Sequence, residues 1–331
     1  MATGALGYMA ISPQNSFGTA QASFSGVPFV SETLVHRLDK LPVQGIRATL
    51  IEAGAVPGIE RSEGDVVVEP DPCGIGWFLR GIFGEPVSTL TNTDAGQYTH
   101  VFNMKFTDWT QKCCVPASTL WVWRGTQDGF QFTDLVFPRM TLTIDANALV
   151  RATFSAIGRT VSLTNQASVI SNSMFQGATD KPFAWNVASV SIAGTAPEVY
   201  ESLTWTVDGM VEGVVVLDAT RKYNKFGRRD RPTIRANGRI DLENLDEYDR
   251  FAAQSTNRLF VNLRPMVGTS GNGQMLIDIP SFEYDSVDAQ VGGPGRVSVD
   301  WTGRALYNTG SATAMTITLI NTQTHYCSSF A

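Results

Sequence analysis

Two stretches of the chain carry the same unusual unit. Residues 61–84, RSEGDVVVEPDPCGIGWFLRGIFG, run a short alternating strand into an amphipathic helical segment, and residues 235–254, RANGRIDLENLDEYDRFAAQ, do so again. A shift of 174 residues superposes them without a gap, setting Arg61 on Arg235, Gly64 on Gly238, Val66 on Ile240, Val68 on Leu242, Glu69 on Glu243 and Trp77 on Phe251. Downstream, Pro138 leads through a long strand and turn to RATFSAIGR, and Pro280 leads to RVSVDWTGR. Arg151 then answers Arg296, Phe154 answers Val299, and Gly158-Arg159 answers Gly303-Arg304, the interval being three residues longer in the second copy. Strand, turn and helix, edge strand and long hairpin ending in Gly-Arg recur in one order, which points to a duplicated domain. The polar stretch 160–182 is the expected boundary, giving a first domain at 1–160 and a second at 161–331.

The rest of the chain is written in strand-length pieces. In the first half 45–53, 64–70, 100–109, 119–125, 132–146 and 149–159 alternate or cluster β-branched and aromatic residues. In the second half 200–209, 212–219, 238–244, 257–265, 274–290, 295–308 and 314–321 do the same. Many short strands with Gly, Pro and Asn turns imply a mainly β fold, two tandem β-sandwich or β-barrel domains. Each domain is expected to carry one short flanking α-helix. The first spans 74–83, with Pro72 near its start, Ile75, Phe78, Leu79 and Ile82 on one face, and Gly84 as its stop. The second is capped by Asn244 or Asp246 and carries Leu245, Tyr248, Phe251 and Ala252 on one face. Helices this short need a sheet to lie on, and Trp77, Phe78 and Phe251 are the candidate packing residues.

Composition narrows the function. At 331 residues the chain is long enough for two cores. Its 43% hydrophobic content and 17% charged residues describe a globular protein, and its net charge of −6 gives no global attraction for nucleic acid. The N-terminus lacks the basic and apolar regions of a secretory signal, and no stretch approaches the ~18 apolar residues of a membrane span. Cys73, Cys113, Cys114 and Cys327 form no CxxC spacing, so neither a zinc knuckle nor a redox motif is supported, and reduced thiols are expected. His36, His100 and His325 are too scattered for a metal or triad arrangement. The Gly-rich segments 268–273 and 292–295 match no phosphate-binding loop and read as turns. No catalytic, cofactor or metal site is expected.

NSFGTAQASFSGVPFVSETLVHRLDKLPVQGIRATL, near the N-terminus, carries a Phe-Gly-Thr, then a Pro-Phe, a Ser-Glu and an Arg-bearing strand. With EGDVVVEPDPCGIGWFLRGIFG and the ending ITLIN, it resembles the tail tube proteins of long-tailed bacteriophages over most of the chain. The resemblance implies a structural virion protein, assembled in the host cytoplasm, whose subunits form stacked rings. Their inward sheets join into one β-barrel through which DNA passes without specific binding. Two tube domains per chain would give homotrimeric pseudo-sixfold rings; a homohexamer is the alternative. The implied partners are further copies of the chain, a tail terminator, distal tail or baseplate proteins and a tape measure protein, with no membrane and no cofactor.

Within that resemblance, the basic run 220–235 departs from its neutral counterpart 52–61, which is read as a loop. Arg221, Lys222, Lys225, Arg228, Arg229 and Arg231 are the candidate inter-ring contact, with Asp246, Glu247 and Asp249 as acidic receptors. The same run could instead bind phosphates, or be a solvated loop. The cluster Asp241, Glu243, Asp246, Glu247 and Asp249 lacks the order of a calcium loop and reads as a wet helix face. Glu283 and Asp285 share a strand face, as glycosidase carboxylates can, and as surface carboxylates commonly do. Trp121 and Trp123, which share a face, form with Phe130 a candidate platform that suits either sugar stacking or core or interface packing. The long segment between Gly84 and Phe130 is expected to decorate the outside. A carbohydrate- or receptor-binding β-sandwich of the virion is the alternative function, and a β-rich hydrolase the third.

Overall fold

Alternation becomes strand in the computed structural model, which describes residues 7–14, 16–21, 24–45, 51, 54–93, 96–104, 115–125, 128–165, 181–194, 200–218, 220–242, 245–264, 273–289 and 296–326. The first half contributes β1 (Tyr8–Pro13), β2 (Ser25–Gly26), β3 (Ser31–Glu32), β4 (Val35–Pro42), β5 (Ala55–Val68) and α1 (Ile75–Phe83). It continues with β6 (Val87–Asn92), β7 (Gln97–Asn103), β8 (Ser118–Trp123), β9 (Asp128–Asp145), β10 (Arg151–Gly158) and β11 (Thr160–Asn165). The second contributes β12 (Ala188–Ile192), β13 (Tyr200–Asp208), β14 (Val211–Val214), β15 (Lys225–Arg228), β16 (Thr233–Asp241) and α2 (Asp246–Ala252). It closes with β17 (Asn257–Leu263), β18 (Gln274–Ala289), β19 (Ser298–Ala305) and β20 (Thr316–Asn321).

One antiparallel run crosses both halves in the order β4-β5-β10-β9-β13-β16-β19-β18. Two strands of it are long enough to serve a second sheet. The N-terminal part of β9 pairs with β8 and β11, with β1 beyond β8. The N-terminal part of β18 pairs with β17 and β20, with β12 beyond β17. Pro138 and Pro280 sit at the register shifts where each long strand passes between sheets. A residue without an N–H is tolerated there because the ladder is already broken.

The halves share their ladder register. Ser62, Gly64 and Val66 face Gly158, Ala156 and Phe154; Ala236, Gly238 and Ile240 face Gly303, Trp301 and Val299. These are the residues matched by the sequence shift. The repeated glycine has one cause in both copies: a Cβ on Gly64 would lie 2.5 Å from the Thr33 carbonyl oxygen, and a Cβ on Gly238 2.9 Å from that of Ser202. The inward faces form one core. Phe78 of α1 stacks on Phe154 at 4.7 Å and meets Phe137 edge-on at 5.4 Å. Trp301 meets Phe282 and Tyr284 at 5.5 Å in the second half.

The mainly β fold with two short helices is as expected, and several local expectations are corrected. Residues 55–61 are strand rather than loop, because β4 gives them an antiparallel partner. Strand in 212–219 stops at Val214, leaving Val215, Val216 and Leu217 exposed. In the described part of the segment after Gly84, β8 joins β1 and β9, and the β6-β7 hairpin pairs onto β20 of the other half. α1 ends at Gly84 (φ 94) as expected, whereas α2 begins after Leu245 with no side-chain cap and buries Glu247 instead of Leu245 and Tyr248. Glu247 is drawn inward by Arg250 at 2.6 Å and by the Tyr284 hydroxyl, which donates to its carboxylate. Most of 45–53, Cys113, Cys114, Cys327, Glu243, Asn244, most of the expected domain boundary and most of both Gly-rich turns lie outside the described residues.

Candidate assembly surface and open sheet face

The period of two along the long run turns Leu142, Phe154, Trp205, Ala236 and Val299 into the core. It sets Thr141, Thr143, Thr153, Ser155, Thr204, Thr206, Asn237 and Thr302 on the opposite face, which is open. Arginines punctuate this hydroxyl-rich surface, and carboxylates hold most of them, Arg151 and Arg235 standing exposed without an ion pair among the described residues. Arg139 donates to Asp208 at 2.7 and 3.0 Å, and Arg239 grips Asp300 at 2.9 and 3.1 Å. Arg304 lies 3.3 Å from Glu283 and 3.4 Å from Asp285, Arg296 2.9 Å from Glu201 and 2.7 Å from Asp241. Arg37 and Arg61 share Glu63, and Arg61 also pairs with Asp39. The hydrogen bond from Arg296 holds the Asp241 carboxyl below the usual range, and that of Asp300 raises Arg239. A guanidinium that grips a carboxylate has its charge compensated and the Nε edge of its donors taken, which weakens its pull on a phosphate.

The run ends in β4 on one side and the C-terminal part of β18 on the other. Every residue of β4 except Asp39 is exposed, including Val35, Leu38 and Leu41. Bare strand edges bearing apolar side chains invite pairing. Where the halves meet, the same kind of edge is already closed: β9 pairs with β13 from Asp145↔Ser202 to Arg139↔Asp208.

The predicted basic residues are divided between inward and outward roles. The β14-β15 hairpin lies across β5, where the Glu60 amide donates to the Arg221 carbonyl at 2.7 Å and Lys222 approaches Glu60 at 3.7 Å. Phe226 meets Phe17 edge-on at 5.8 Å. Arg229 reaches Glu212 at 3.9 Å, Arg228 is half-buried, and Lys225 and Arg231 are exposed. Of their expected receptors, Glu247 is buried and committed to Arg250 and Tyr284, so it cannot serve; Asp246 and Asp249 are exposed. The exposed tip Val215–Leu217 was hidden in the sequence, where it reads as a strand.

The other candidates resolve as packing or surface pairing. Trp121 is fully buried against Tyr8 at 5.7 Å, which removes it as a sugar platform. Phe78 and Trp77 are buried in the core, and Phe251 packs against it while partly exposed. Glu283 and Asp285 are engaged by Arg304. Among the described residues no group of three or more His, Cys, Asp or Glu could hold a metal ion, and no helix is long and apolar enough to cross a membrane.

Compared with models of known families, residues 4–318 match the family described as "Phage tail tube protein". No curated protein matches the chain.

Proposed function

The chain belongs to the phage tail tube protein family, and from that premise we propose that it is a ring-forming subunit whose two domains, 1–160 and 161–331, act as two consecutive units of one tube. It is a structural component of the virion tail. The observation that carries the ring reading is the junction inside the chain: two halves with one ladder register, joined edge to edge through β9 and β13. Repeating that junction between chains would pair β18 of one copy with β4 of the next. Three chains would then close a sheet of pseudo-sixfold symmetry, a heterologous contact that closes and leaves no exposed edge.

The open face of the run would line the channel. Arg139, Arg239 and Arg304 are held by carboxylates, which leaves Arg151 and Arg235 as the exposed arginines of this face without an ion pair among the described residues; the rest is largely Thr, Ser and Asn, so DNA would meet few groups able to displace its counterions. The Arg221 side chain, Lys225, Arg231 and the tip Val215–Leu217 are the parts of the basic hairpin left for the next ring. Action by assembly alone, in the host cytoplasm, with a tail terminator, distal tail proteins and a tape measure protein as partners, completes the reading.

Negative-stain electron microscopy of the concentrated protein, with class averaging, tests it. Hollow stacked rings are expected, with three chains in each sixfold-looking ring. Six chains per ring would remove the tandem-unit reading; compact monomers at all concentrations, even when a tail-tip nucleator is added, would remove the ring.

A further inference from the structure

The junction between the halves has an outer layer as well as the sheet, and among the described residues that layer is completed once. On the first half's side it is α1. Tyr326, beyond β20 of the second half, packs edge-on against Trp77 at 5.0 Å and donates its hydroxyl proton to the Cys73 carbonyl at 2.7 Å. Asn321 donates to the Pro72 carbonyl at 2.7 Å. The β6-β7 hairpin, which follows α1, pairs along β20. As a result Trp77 is 3% exposed and Leu319 of β20 is 0% exposed.

Each side of this junction has a counterpart that remains bare. β11 stands to β9 as β20 stands to β18: Leu163 faces Phe130, and Leu319 faces Met275. Leu163 is 67% exposed. α2 stands in the second half where α1 stands in the first, yet Leu245 is 57% and Tyr248 49% exposed. Only residues 253–256 separate α2 from β17, too few for a hairpin like the one that follows α1. Among the described residues, α2 is thus a helix without its strand, and β11 a strand without its helix.

We propose that these two bare surfaces are each other's partners in trans: α2 of one copy, through Leu245 and Tyr248, docks on the β11 edge of the next copy at Leu163. The proposal rests on the ring reading, since repeating the β9-β13 junction between copies carries the second half of one chain against the first half of the next. The occupant is a second copy because the chain already joins its own halves by a contact of this kind, α1 through Trp77 and Gly76 against Tyr326 just beyond β20. The two contacts differ in kind. The internal one is sealed by a paired hairpin and buried hydrogen bonds, and the one between copies is an apolar contact that can form and separate, as ring assembly requires.

The test uses the full chain with Cys113, Cys114 and Cys327 changed to serine, carrying Leu163→Cys, Tyr248→Cys or both, treated with a short bismaleimide and run on a denaturing gel. A mixture of the two single variants is expected to give a covalent dimer, and each single variant alone none. The double variant is expected to give products up to the number of chains in a ring. Tyr248→Cys combined with Leu149→Cys, exposed elsewhere on the first half, is expected to give no product. Rings seen by microscopy without the Leu163–Tyr248 product would overturn this inference and leave the ring reading intact. The product without rings would support the contact and remove the ring; neither would remove both.

Discussion

His100 is the buried titratable group whose partners fix its state. On β7 it lies 2.8 Å from the Ser88 hydroxyl through Nδ1 and 2.8 Å from the Gln323 carbonyl through Nε2. A carbonyl only accepts, so Nε2 carries the proton and Nδ1 accepts from Ser88. Burial is the main cause that lowers its pKa from 6.5. The folded ring therefore stays neutral while the unfolded one takes up a proton below about pH 6.5, so its contribution to stability is complete above that pH and lost as pH falls toward the folded pKa. Urea midpoints from pH 7.5 to 5 should fall for the native chain, and a His100→Gln variant should show a shallower fall; parallel curves would refute the assignment. Glu247 makes the opposite demand, since its buried carboxylate is paired with Arg250 and accepts from Tyr284, whose pKa is raised by burial and then by that carboxylate. Glu247→Ala should cost about 3 kcal/mol in chemical denaturation, because it strands a cation and a hydroxyl. Asp249→Ala on the exposed side of the same helix should stay within about 0.5 kcal/mol.

The two helices measure how far local pattern reaches. Strands were readable because a period of two survives burial on one face, and the matched residues Gly64 and Gly238 take corresponding places in the two inner ladders, facing Ala156 and Trp301. The face of α2 was misread because Leu245, Tyr248 and Phe251 have helical spacing, while what is buried depends on what arrives from elsewhere. Tyr284 arrives to receive Glu247, and among the described residues nothing arrives to cover Tyr248. Around α1 the cover came from the far end of the sequence, through β20 and Tyr326, and no local signal announces a pairing of such long range. That cover is testable. Tyr326 also meets His100 edge-on at 4.8 Å and accepts from Asn321 at 2.8 Å. Tyr326→Ala should lower stability by about 3 kcal/mol, the usual scale for removing a buried aromatic. It should also open the C-terminal residues to limited proteolysis before the core unfolds; a protected C-terminus would argue that β7 and β20 seal the junction without it.

At the scale of the whole molecule, net charge was a poor guide to the surface that matters. A chain of −6 still carries a row of arginines on its open sheet face, and their effect depends on the carboxylates across the strands. Arg139 and Arg239 are each gripped by one residue, Asp208 and Asp300, so these two carboxylates are where the face can be changed with least disturbance to the core. Arg239–Asp300 is exposed on both sides and Arg139 is exposed beside a partly buried Asp208, so the pairs contribute little to stability, which leaves suppression of phosphate capture as their main consequence. In the proposed channel this difference sets whether DNA slides or sticks. The double variant Asp208→Asn, Asp300→Asn should keep the native melting profile and gain binding to double-stranded DNA at low salt, read by fluorescence anisotropy. Two released arginines that reach phosphates should also steepen the dependence of log affinity on log salt by about 2. Asp246→Asn with Asp249→Asn removes the same charge from α2, away from this face, and should change neither quantity. Equal gains from both double variants would mean that overall charge governs the encounter with DNA; a gain confined to the first would mean that each carboxylate works locally, by occupying the guanidinium beside it.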